Sequence, residues 1–396
     1  MKKNILFVID SLYCAGAEKS LTTLLSLLNY NKYSVDLILF SHGGDFERFI
    51  PEEVTILRPF TYSKFAELSL FGSFIQSMRM LDFQMFNSRV NYSINLRKSK
   101  NNLEQEARIY WECISDVIEQ NPKIYDTAIS YAQGVPTFYV AEKVKAKEKF
   151  AWVNVSYRLD EDEKKFQRSY YDQFNKIVAV SESTKEILLE TFPYYTDRTK
   201  VIYDINDPQL ISRMSGIGES YEDCFTGLRI LTIGRLAHQK GYDIALEVCK
   251  KLKDKGVNFK WYVLGKGPLK KEIEKYILAN DLSDHFVLLG VKSNPYSFIK
   301  NADMYVQTSK FEGFGLAIAE ARMLNVPVVT TRFDAVYSQM VDGMNGLVVD
   351  MNADAVTEGI MKLINDKKLR DSIVQYLKNE KKGNVEEIEK FYQLIG

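Results

Sequence analysis

The feature that most restricts the fold is an alternation of short apolar runs with helical patterns, which occurs in each half of the chain. The apolar runs predict strands, and the amphipathic stretches between them predict helices. In the first half the predicted strands are 4–9, 35–40, 54–57, 127–131, 150–153, 177–180 and 200–203. In the second half they are 229–234, 260–264, 286–289, 304–307, 328–331 and 346–349. This order predicts an α/β protein with two doubly wound, Rossmann-like parallel sheets.

The length and one polar stretch predict where the two domains divide. A chain of 396 residues is longer than one hydrophobic core usually supports. Residues 206–225 are polar, contain Pro208 and two glycines and show no clean period, which is typical of a linker. We therefore place a first domain at residues 1–205 and a second at residues 206–396. Residues 385–396 have the pattern of an amphipathic helix, and we expect this last helix to pack back toward the first domain.

Composition excludes several classes of protein. Lys plus Arg and Asp plus Glu both number 52, so the formal net charge is zero and no nucleic-acid partner is expected. The 4 cysteines form no CxxC pair and only 3 histidines are present, which argues against a metal site and fits a reducing cytoplasm. The first apolar run stops at Asp10 and predicts a buried strand rather than a signal peptide. No stretch approaches the ~20 apolar residues of a membrane span, so we expect a cytoplasmic protein whose membrane contact, if any, is peripheral.

Residues 60–100 depart from the alternation. They carry many large apolar side chains, and their charged residues are mostly basic: Lys64, Arg79, Arg89, Arg97, Lys98 and Lys100 against Glu67 and Asp82. A basic amphipathic helix can lie on the anionic inner face of a cell membrane or near a lipid-linked acceptor. The simpler interpretation is an insertion that packs on the first domain. The sequence leaves both interpretations open.

The stretch LTIGRLAHQKGYDIAL, residues 231–246, predicts a binding site at a strand end. Its strand ends at Gly234, and Arg235 and Lys240 follow in the loop. Ligands bind at such carboxyl ends in open α/β sheets. A guanidinium and an ammonium can neutralise a leaving diphosphate without a divalent metal. Taken alone, the two residues are equally compatible with a surface ion pair.

The stretch QTSKFEGFGLAIAEARMLNVPVVTT adds a second part of this site. Gly313 and Gly315 precede a helical run that begins near Leu316, so backbone N–H groups and the positive helix end can face an anion. Glu312 lies before the turn, and Glu320 follows after seven intervening residues. These carboxylates can bind sugar and ribose hydroxyls, although each alone could be an ordinary surface charge.

Together these residues resemble the family 4 retaining glycosyltransferases, whose pattern combines E-x7-E with GR-x4-KG. The resemblance covers nearly the whole chain. It includes IDSLYCAGAEKSLTTL at the N-terminus, VAVSESTKEIL at 178–188, and the later stretches VLGKGPLKKEIE, LLGVKSNPYSFIKNADMYVQTS and MVDGMNGLVVD. It implies a GT-B fold, in which two Rossmann-like domains face each other across a cleft. The first domain would bind the acceptor, and the second would bind a nucleotide-sugar.

The resemblance also implies individual roles. Arg235 and Lys240 would hold the diphosphate and Glu312 would contact the transferred sugar, which makes these three the catalytic candidates. Glu320 would accept hydrogen bonds from the ribose. The other donor-binding candidates are Gly16, Asn154, Gly265, Val291, Lys292, Gly313, Phe314, Gly315 and Leu316. Among these, Gly16 with its neighbours Ala15 and Ala17 would bring backbone near the donor phosphate, and Gly265, Val291 and Lys292 would border the base.

The implied reaction is a transfer with retained anomeric configuration, without metal or cofactor. The substrates would be a UDP-sugar, preferred over a GDP-sugar, and a saccharide or lipid-linked glycan acceptor in surface polysaccharide or glycoconjugate synthesis. One residue departs from the family pattern. Asn154, in WVNVSY, stands where many relatives have a histidine that contacts the donor sugar, and an amide cannot carry a proton charge.

That departure leaves other functions open. Altered handling of the sugar or acceptor is one consequence of Asn154, and a non-catalytic subunit that supports a partner glycosyltransferase is another. A sugar-nucleotide epimerase on the same fold is a third, because it needs the nucleotide site but no acceptor.

Overall fold

The computed structural model describes residues 2–13, 16–44, 46–97, 103–155, 159–292 and 294–396. The chain divides into two compact units. The first comprises the N-terminal residues to Tyr13, Ala17–Ile202 and Ile388–Gly396, and the second comprises Tyr203–Glu387 with Gly16. The division falls after Ile202, whereas the sequence interpretation placed it after residue 205. Ala15, Lys98 and Lys100, to which the sequence interpretation gave roles, lie outside the described residues.

The first unit is built on a parallel sheet. Its strands are β1 (Lys3–Ile9), β2 (Tyr33–Leu39), β3 (Val54–Ile56), β4 (Ile124–Ser130), β5 (Lys145–Val153), β6 (Lys176–Ala179) and β7 (Thr199–Val201). They pair in the order β3-β2-β1-β4-β5-β6-β7. Its helices are α1 (Gly16–Leu27), α2 (Thr61–Ala66), α3 (Leu70–Met80), α4 (Gln84–Leu96), α5 (Leu103–Ile114), α6 (Val135–Lys143), α7 (Glu161–Tyr171) and α8 (Glu182–Thr191). β1 is buried without interruption over its last five residues, because parallel sheets are covered on both faces.

The second unit repeats this architecture. Its strands are β8 (Leu228–Ile233), β9 (Phe259–Leu264), β10 (Phe286–Gly290), β11 (Met304–Gln307), β12 (Val328–Thr331) and β13 (Leu347–Val349). They are parallel in the order β10-β9-β8-β11-β12-β13. Its helices are α9 (Pro208–Met214), α10 (Tyr242–Asp254), α11 (Lys270–Ala279), α12 (Tyr296–Lys300), α13 (Leu316–Met323), α14 (Ala353–Asn365) and α15 (Lys367–Asn379). The prediction of two doubly wound parallel sheets is therefore confirmed.

The chain ends in α16 (Glu387–Ile395), which packs within the first unit. Phe391 is fully buried, and its ring stacks on that of Phe7 in β1 with 6.0 Å between centroids. Tyr392 stacks on Tyr33 at the start of β2 with 5.8 Å between centroids. Apolar and aromatic residues on one face of this helix thus complete the core of the first unit.

The region 60–100 folds as helices, one of which has an unusual orientation. Tyr62 and Phe65 of α2 are buried and anchor the region to the first unit. In α3 the buried residues are the serines Ser73 and Ser77, while most of its large apolar side chains are exposed. Arg89 of α4 points inward and donates to the Ser73 hydroxyl. The region is thus partly a packed insertion, and its exposed surface combines the apolar side chains of α3 with Lys64, Arg79 and Arg97.

Residues 206–225 are not the irregular linker that the sequence interpretation expected. Asp207 caps α9 by accepting hydrogen bonds from two backbone amides, and Pro208 occupies the first turn, where its missing N–H costs nothing. Ile211 of this helix is buried in the second unit. Further along, Asp223 accepts hydrogen bonds from Lys260 at 2.8 Å and from the Tyr262 hydroxyl at 2.6 Å, both in β9. This segment is therefore an integral part of the second unit.

Within the described part of the chain, every helix is too short or too polar to span a membrane.

Candidate functional site

The loop after β8 carries the two cationic candidates. Gly234 follows the strand, and a Cβ at this position would lie 3.1 Å from two carbons of the Lys240 side chain. The glycine therefore lets the aliphatic stem of Lys240 lie directly on the backbone. Arg235 is exposed, and its side chain has no hydrogen-bond or ion-pair partner among the residues that the structure describes. Its guanidinium is thus accessible to an anion.

Gly241 fixes the position of Lys240 from the other side. Its φ of +64° is in the left-handed region, and a Cβ there would lie 1.9 Å from the carbonyl oxygen of Thr308. The Thr308 hydroxyl donates in turn to the carbonyl oxygen of Lys240 at 3.0 Å. Because Thr308 directly follows β11, these contacts join the loop after β8 to the end of the neighbouring strand. No other residue type fits at Gly241.

Lys240 forms an ion pair with Glu312 through its ammonium group. The same carboxylate oxygen, Oε1 of Glu312, accepts hydrogen bonds from Gln307 Nε2 at 2.8 Å and from the Ser309 hydroxyl at 2.6 Å. The side chains of Lys240 and Glu312 are only 19% and 9% exposed, so their charges are poorly screened. An ammonium has three donors, so Lys240 can bind Glu312 and still donate to an anion.

A buried tyrosine orients this cluster. The hydroxyl of Tyr305 donates to Oε1 of Gln307 at 2.6 Å, which leaves the Gln307 amide nitrogen to face Glu312. Burial raises the pKa of Tyr305 well above its ordinary value, so the hydroxyl stays a donor. Gln307 and Ser309 were not among the predicted site residues. The two residues are two positions apart near the end of β11, so their side chains face the same side of the strand. This spacing was the sequence signal that could have identified them.

Residues 313–316 form the turn into α13. Gly315 has a φ of +82° at the N-terminal cap of the helix, and no side chain caps the helix there. The amide nitrogen of Gln339 donates to the carbonyl oxygens of Phe314 and Gly315 and so holds this turn in place. Backbone N–H groups at an uncapped helix start favour an anion. Gln339 has no sequence signal that connects it with this turn, because it follows Gly315 by more than twenty residues.

Glu320 lies one turn into α13 and is 2% exposed. The Tyr296 hydroxyl, from α12, donates to Oε1 of Glu320 at 3.1 Å. Both predicted carboxylates therefore lie in the second unit, but they have different environments. Glu312 is paired with a cation, whereas Glu320 accepts a hydrogen bond from a neutral hydroxyl.

The ends of β9 and β10 hold the remaining candidates of the second unit. A Cβ at Gly265 would lie 2.0 Å from the carbonyl oxygen of Gly234, so this close approach of two strand ends requires glycine. The amide of Gly265 donates to the carbonyl oxygen of Gly290 at 2.8 Å, and Val291 follows directly. Lys292 forms an ion pair with Glu219 at 2.8 Å. Any contact of Lys292 with a base would have to compete with this pair.

The other two candidates are Gly16 and Asn154, of which only Asn154 belongs to the first unit. Gly16 is the first residue of α1 and is exposed. Asn154 follows β5, and its amide nitrogen donates to the carbonyl oxygen of Tyr131 at 2.7 Å. Its Oδ1 atom is buried and has no hydrogen-bond partner among the described residues. The backbone amides of Asn154 and Val155 both donate to Oε1 of Gln133, at 3.1 and 3.0 Å, which fixes the backbone of this turn.

Comparison with protein families identifies the part of the chain that carries this cluster. Residues 226–380 match the family described as Glycosyl transferases group 1. This segment is therefore similar to group 1 glycosyltransferases. The ion pair of Lys240 and Glu312, the turn into α13 and Glu320 all lie inside it. Among the described residues, no group of three or more His, Cys, Asp or Glu side chains could hold a metal ion.

Curated proteins that are similar to this chain are named as glycosyltransferases. An uncharacterized glycosyltransferase of Methanocaldococcus jannaschii is 36% identical over 36% of this chain and 40% of its own length. The capsular polysaccharide biosynthesis glycosyltransferase CapM of Staphylococcus aureus is 33% identical over 36% and 38%. A Campylobacter jejuni N-acetylgalactosaminyltransferase, whose name specifies a diphospho-undecaprenol acceptor, is 26% identical over 54% and 57%. The chain thus spans about half of each of these relatives, or less.

Solved structures match the chain over its full length. HepE of Anabaena, solved with UDP and glucose, has a TM-score of 0.69 at 17% identity and covers 99% of this chain and 98% of its own. TarM of S. aureus, solved with UDP and fondaparinux among its ligands, has a TM-score of 0.67 at 14% identity and covers 99% of both chains. With the two parallel sheets described above, this similarity gives the chain a two-domain GT-B fold.

Proposed function

We propose that the chain is a retaining, metal-independent glycosyltransferase that moves a hexose or N-acetylhexosamine from a UDP-sugar to a saccharide acceptor. The observation that carries the proposal is the ion pair of Lys240 and Glu312 at adjacent strand ends, with the exposed Arg235 in the same loop. Two cations beside a leaving diphosphate stabilise its developing negative charge, as a divalent metal ion does in other enzymes.

In this proposal the cationic side chains bind the leaving diphosphate, and the carboxylate binds the transferred sugar. Arg235 and Lys240 hold the diphosphate, whose second contact is the uncapped start of α13. Glu312 contacts the transferred sugar, and its bond to Lys240 holds the carboxylate in place beside a positive transition state. With the leaving diphosphate and the acceptor on one face of the sugar, the anomeric configuration is retained.

The nucleotide is held by residues around the other strand ends. In this proposal Glu320 accepts from the ribose hydroxyls, while Gly265, Val291 and Lys292 border the base. The preference for UDP over GDP is supported by HepE and TarM, which share the fold and were solved with UDP. UDP itself is therefore the first ligand to test.

The acceptor that we propose is a lipid-linked glycan on the inner face of the cell membrane, used in surface polysaccharide or glycoconjugate synthesis. The Campylobacter relative is named for a diphospho-undecaprenol acceptor, and the name of CapM places it in capsular polysaccharide synthesis. The exposed apolar face of α3 gives the first unit a surface suited to the membrane boundary. The protein would then be cytoplasmic and bound peripherally.

The experiment is a calorimetric titration with UDP, GDP and a panel of UDP-sugars in the presence of EDTA, followed by NMR of the product's anomeric proton. Selective UDP binding and a product with the donor's anomeric configuration are expected. Dependence on added divalent metal, or an inverted product, would contradict the proposal.

Asn154 favours one alternative, a non-catalytic subunit that supports a partner glycosyltransferase. In that case UDP binds, but neither transfer nor slow donor hydrolysis occurs with the isolated chain. Incubation with the donor alone also tests for an epimerase, because NMR would detect the epimerised sugar. Exchange of Asn154 for His should raise turnover if the amide only weakens contact with the sugar.

A further inference from the structure

The second unit contains a cavity of about 370 Å³ that borders the proposed donor site through Phe314 but is not lined by Lys240 or Glu312. Helix α13 contributes Ala319, Arg322 and Met323 to its wall, whereas Glu320 does not line it. Its size falls within the range of small-molecule sites, roughly 300 to 1,000 Å³. The wall also includes Gln339, the side chain that holds the turn before α13.

Two buried atoms in this wall lack hydrogen-bond partners among the described residues. One is a donor, Nε of Arg322, and the other is an acceptor, Oε1 of Gln339. An unpaired buried polar atom costs about 1–3 kcal/mol, so such atoms usually indicate a missing partner. A ligand that satisfies both must offer an acceptor and a donor, and a hydroxyl group offers both.

The charges of the wall argue against an anionic ligand. Arg322 pairs with Glu380 at 2.7 Å, and Lys381 pairs with Glu386. Lys382 donates to a main-chain carbonyl oxygen at 2.9 Å, and burial lowers its pKa. The positive charges of Arg322 and Lys381 are therefore offset by carboxylates, which reduces the attraction of the wall for a phosphate or carboxylate.

Four aromatic rings complete the wall: Tyr203, Phe314, Tyr337 and Tyr376. An aromatic face provides apolar contact area, and tyrosine adds a polar hydroxyl at its edge. We propose that this cavity is a binding site for a neutral mono- or disaccharide, whose hydroxyls satisfy Arg322 and Gln339 while its C–H faces pack on the rings. The site does not depend on the proposed transfer reaction, since binding can be measured without turnover.

Saturation-transfer NMR on the full chain tests the proposal. The probes are methyl β-D-glucopyranoside, methyl N-acetyl-β-D-glucosaminide, maltose and cellobiose, each with and without saturating UDP. Ser338→Trp places a large side chain in the cavity wall at an exposed position, and Tyr337→Ala removes a ring that is 54% exposed. Tyr194→Ala is the matched control, because Tyr194 is 50% exposed and lies in the first unit. Circular dichroism establishes that each variant is folded.

The expected result is binding of at least one neutral saccharide in the presence of UDP, with a Kd that rises at least tenfold in Ser338→Trp and Tyr337→Ala and is unchanged in the control. UDP affinity should be the same in all four proteins. The proposal would be overturned if no saccharide binds, if UDP displaces the saccharide, or if both cavity variants bind it as tightly as the wild type does. If UDP binds none of the four proteins, the proposed function is overturned. Saccharide binding by the wild type and the cavity variants then still decides the proposal of the cavity site.

Discussion

Lys240 is the residue on which the candidate site most depends, because its ammonium meets Glu312 while its stem lies on Gly234. Lys240→Ala should lower turnover by about a hundredfold or more, as the loss of one charge-stabilising donor typically does. Arg235→Ala should have a similar effect. The measurement is kcat for transfer, or for donor hydrolysis where no acceptor is known.

Lys251→Ala is the control for this prediction. Lys251 lies on α10 and pairs with Asp354 at 2.8 Å on the surface of the same unit. It should retain full activity. Equal activities for the Lys240, Arg235 and Lys251 variants would exclude the proposed diphosphate contacts.

Gly241 provides a second test at the level of one residue. Gly241→Ala adds a Cβ 1.9 Å from the Thr308 carbonyl oxygen, in addition to the cost of a positive φ. Gly256→Ala is a matched control, because Gly256 has a φ of +70° but nothing within 4 Å of the added Cβ. The control should lose about 1 kcal/mol of unfolding free energy, and Gly241→Ala should lose more, together with activity. Equal losses in chemical denaturation would show that the close approach to Thr308 is unimportant.

The sequence pattern located the charged residues of the site but not the residues that position them. Arg235, Lys240, Glu312 and Glu320 are recognisable because their spacing recurs in a known family. Gln307 and Ser309 lie in the same quoted stretch, yet a polar residue at a strand end is too common to be singled out. Gln339 could not be predicted at all, because its link to the turn before α13 exists only in three dimensions.

Among the elements, the segment 206–225 shows how a local signal can be overlooked. Asp207 followed by Pro208 is a recognisable helix start, but the polar composition around it favoured a linker. The later part is ordered by Asp223, which joins this segment to β8 and β9 through Arg229, Lys260 and Tyr262. A charge network between distant segments leaves no periodic pattern in the sequence.

The network around Asp223 predicts a pH dependence. Partial burial alone would raise the pKa of Asp223, but the hydrogen bonds from Lys260, Tyr262 and Arg229 outweigh this effect and lower it from 3.8 to about 2. A depressed pKa means that the ionised group stabilises the fold above pH 3.8 and loses this effect as the pH falls toward 2. Because the side chain is partly exposed, the contribution is about 1 kcal/mol.

Asp223→Asn should therefore lower the free energy of unfolding at pH 6, and the difference from wild type should shrink between pH 4 and pH 2. Urea denaturation across this range is the measurement. Asp334→Asn, at an exposed aspartate of the same unit, should leave the free energy unchanged. A difference that stays constant with pH would contradict the proposed ionic origin.

Helix α3 is the element whose orientation the sequence could not give. Its buried positions are Ser73 and Ser77, so the apolar face that normally enters a core points outward. Phe71 and the following Leu81 are 73% and 89% exposed. Such concentrated apolar exposure typically marks a binding surface.

If that surface meets a membrane, Phe71→Ser with Leu81→Ser should reduce cosedimentation with vesicles of phosphatidylglycerol and phosphatidylcholine severalfold, because less apolar area enters the interface. Leu278→Ser, at a residue of α11 that is 71% exposed, is the control and should bind as wild type does. Unaltered cosedimentation of the double variant would exclude this face from membrane binding.

For the molecule as a whole, the alternation of strands and helices predicted both sheets. Most strand bounds agree with those observed to about two residues, but β4 and β5 begin at Ile124 and Lys145, earlier than predicted. The return of α16 to the first unit was expected from its amphipathic pattern, and Phe391 and Tyr392 supply the stacking contacts. Strand order was not predicted, because parallel strands that are buried on both faces carry similar apolar runs and do not identify their neighbours.

Because the proposed UDP contacts lie in the second unit, UDP should slow hydrogen exchange more in that unit than in the first. UDP at 100 times its Kd should stabilise the native state by about 2.7 kcal/mol, provided that it does not bind the unfolded chain. Hydrogen exchange in EDTA should then slow most in the second unit, at residues 234–241 and 312–320, because these segments supply the proposed diphosphate and ribose contacts. The sheet of the first unit provides the internal reference. Protection that requires added magnesium would contradict metal-independent binding, and protection confined to the first unit would place the nucleotide site outside residues 226–380, which match the group 1 family.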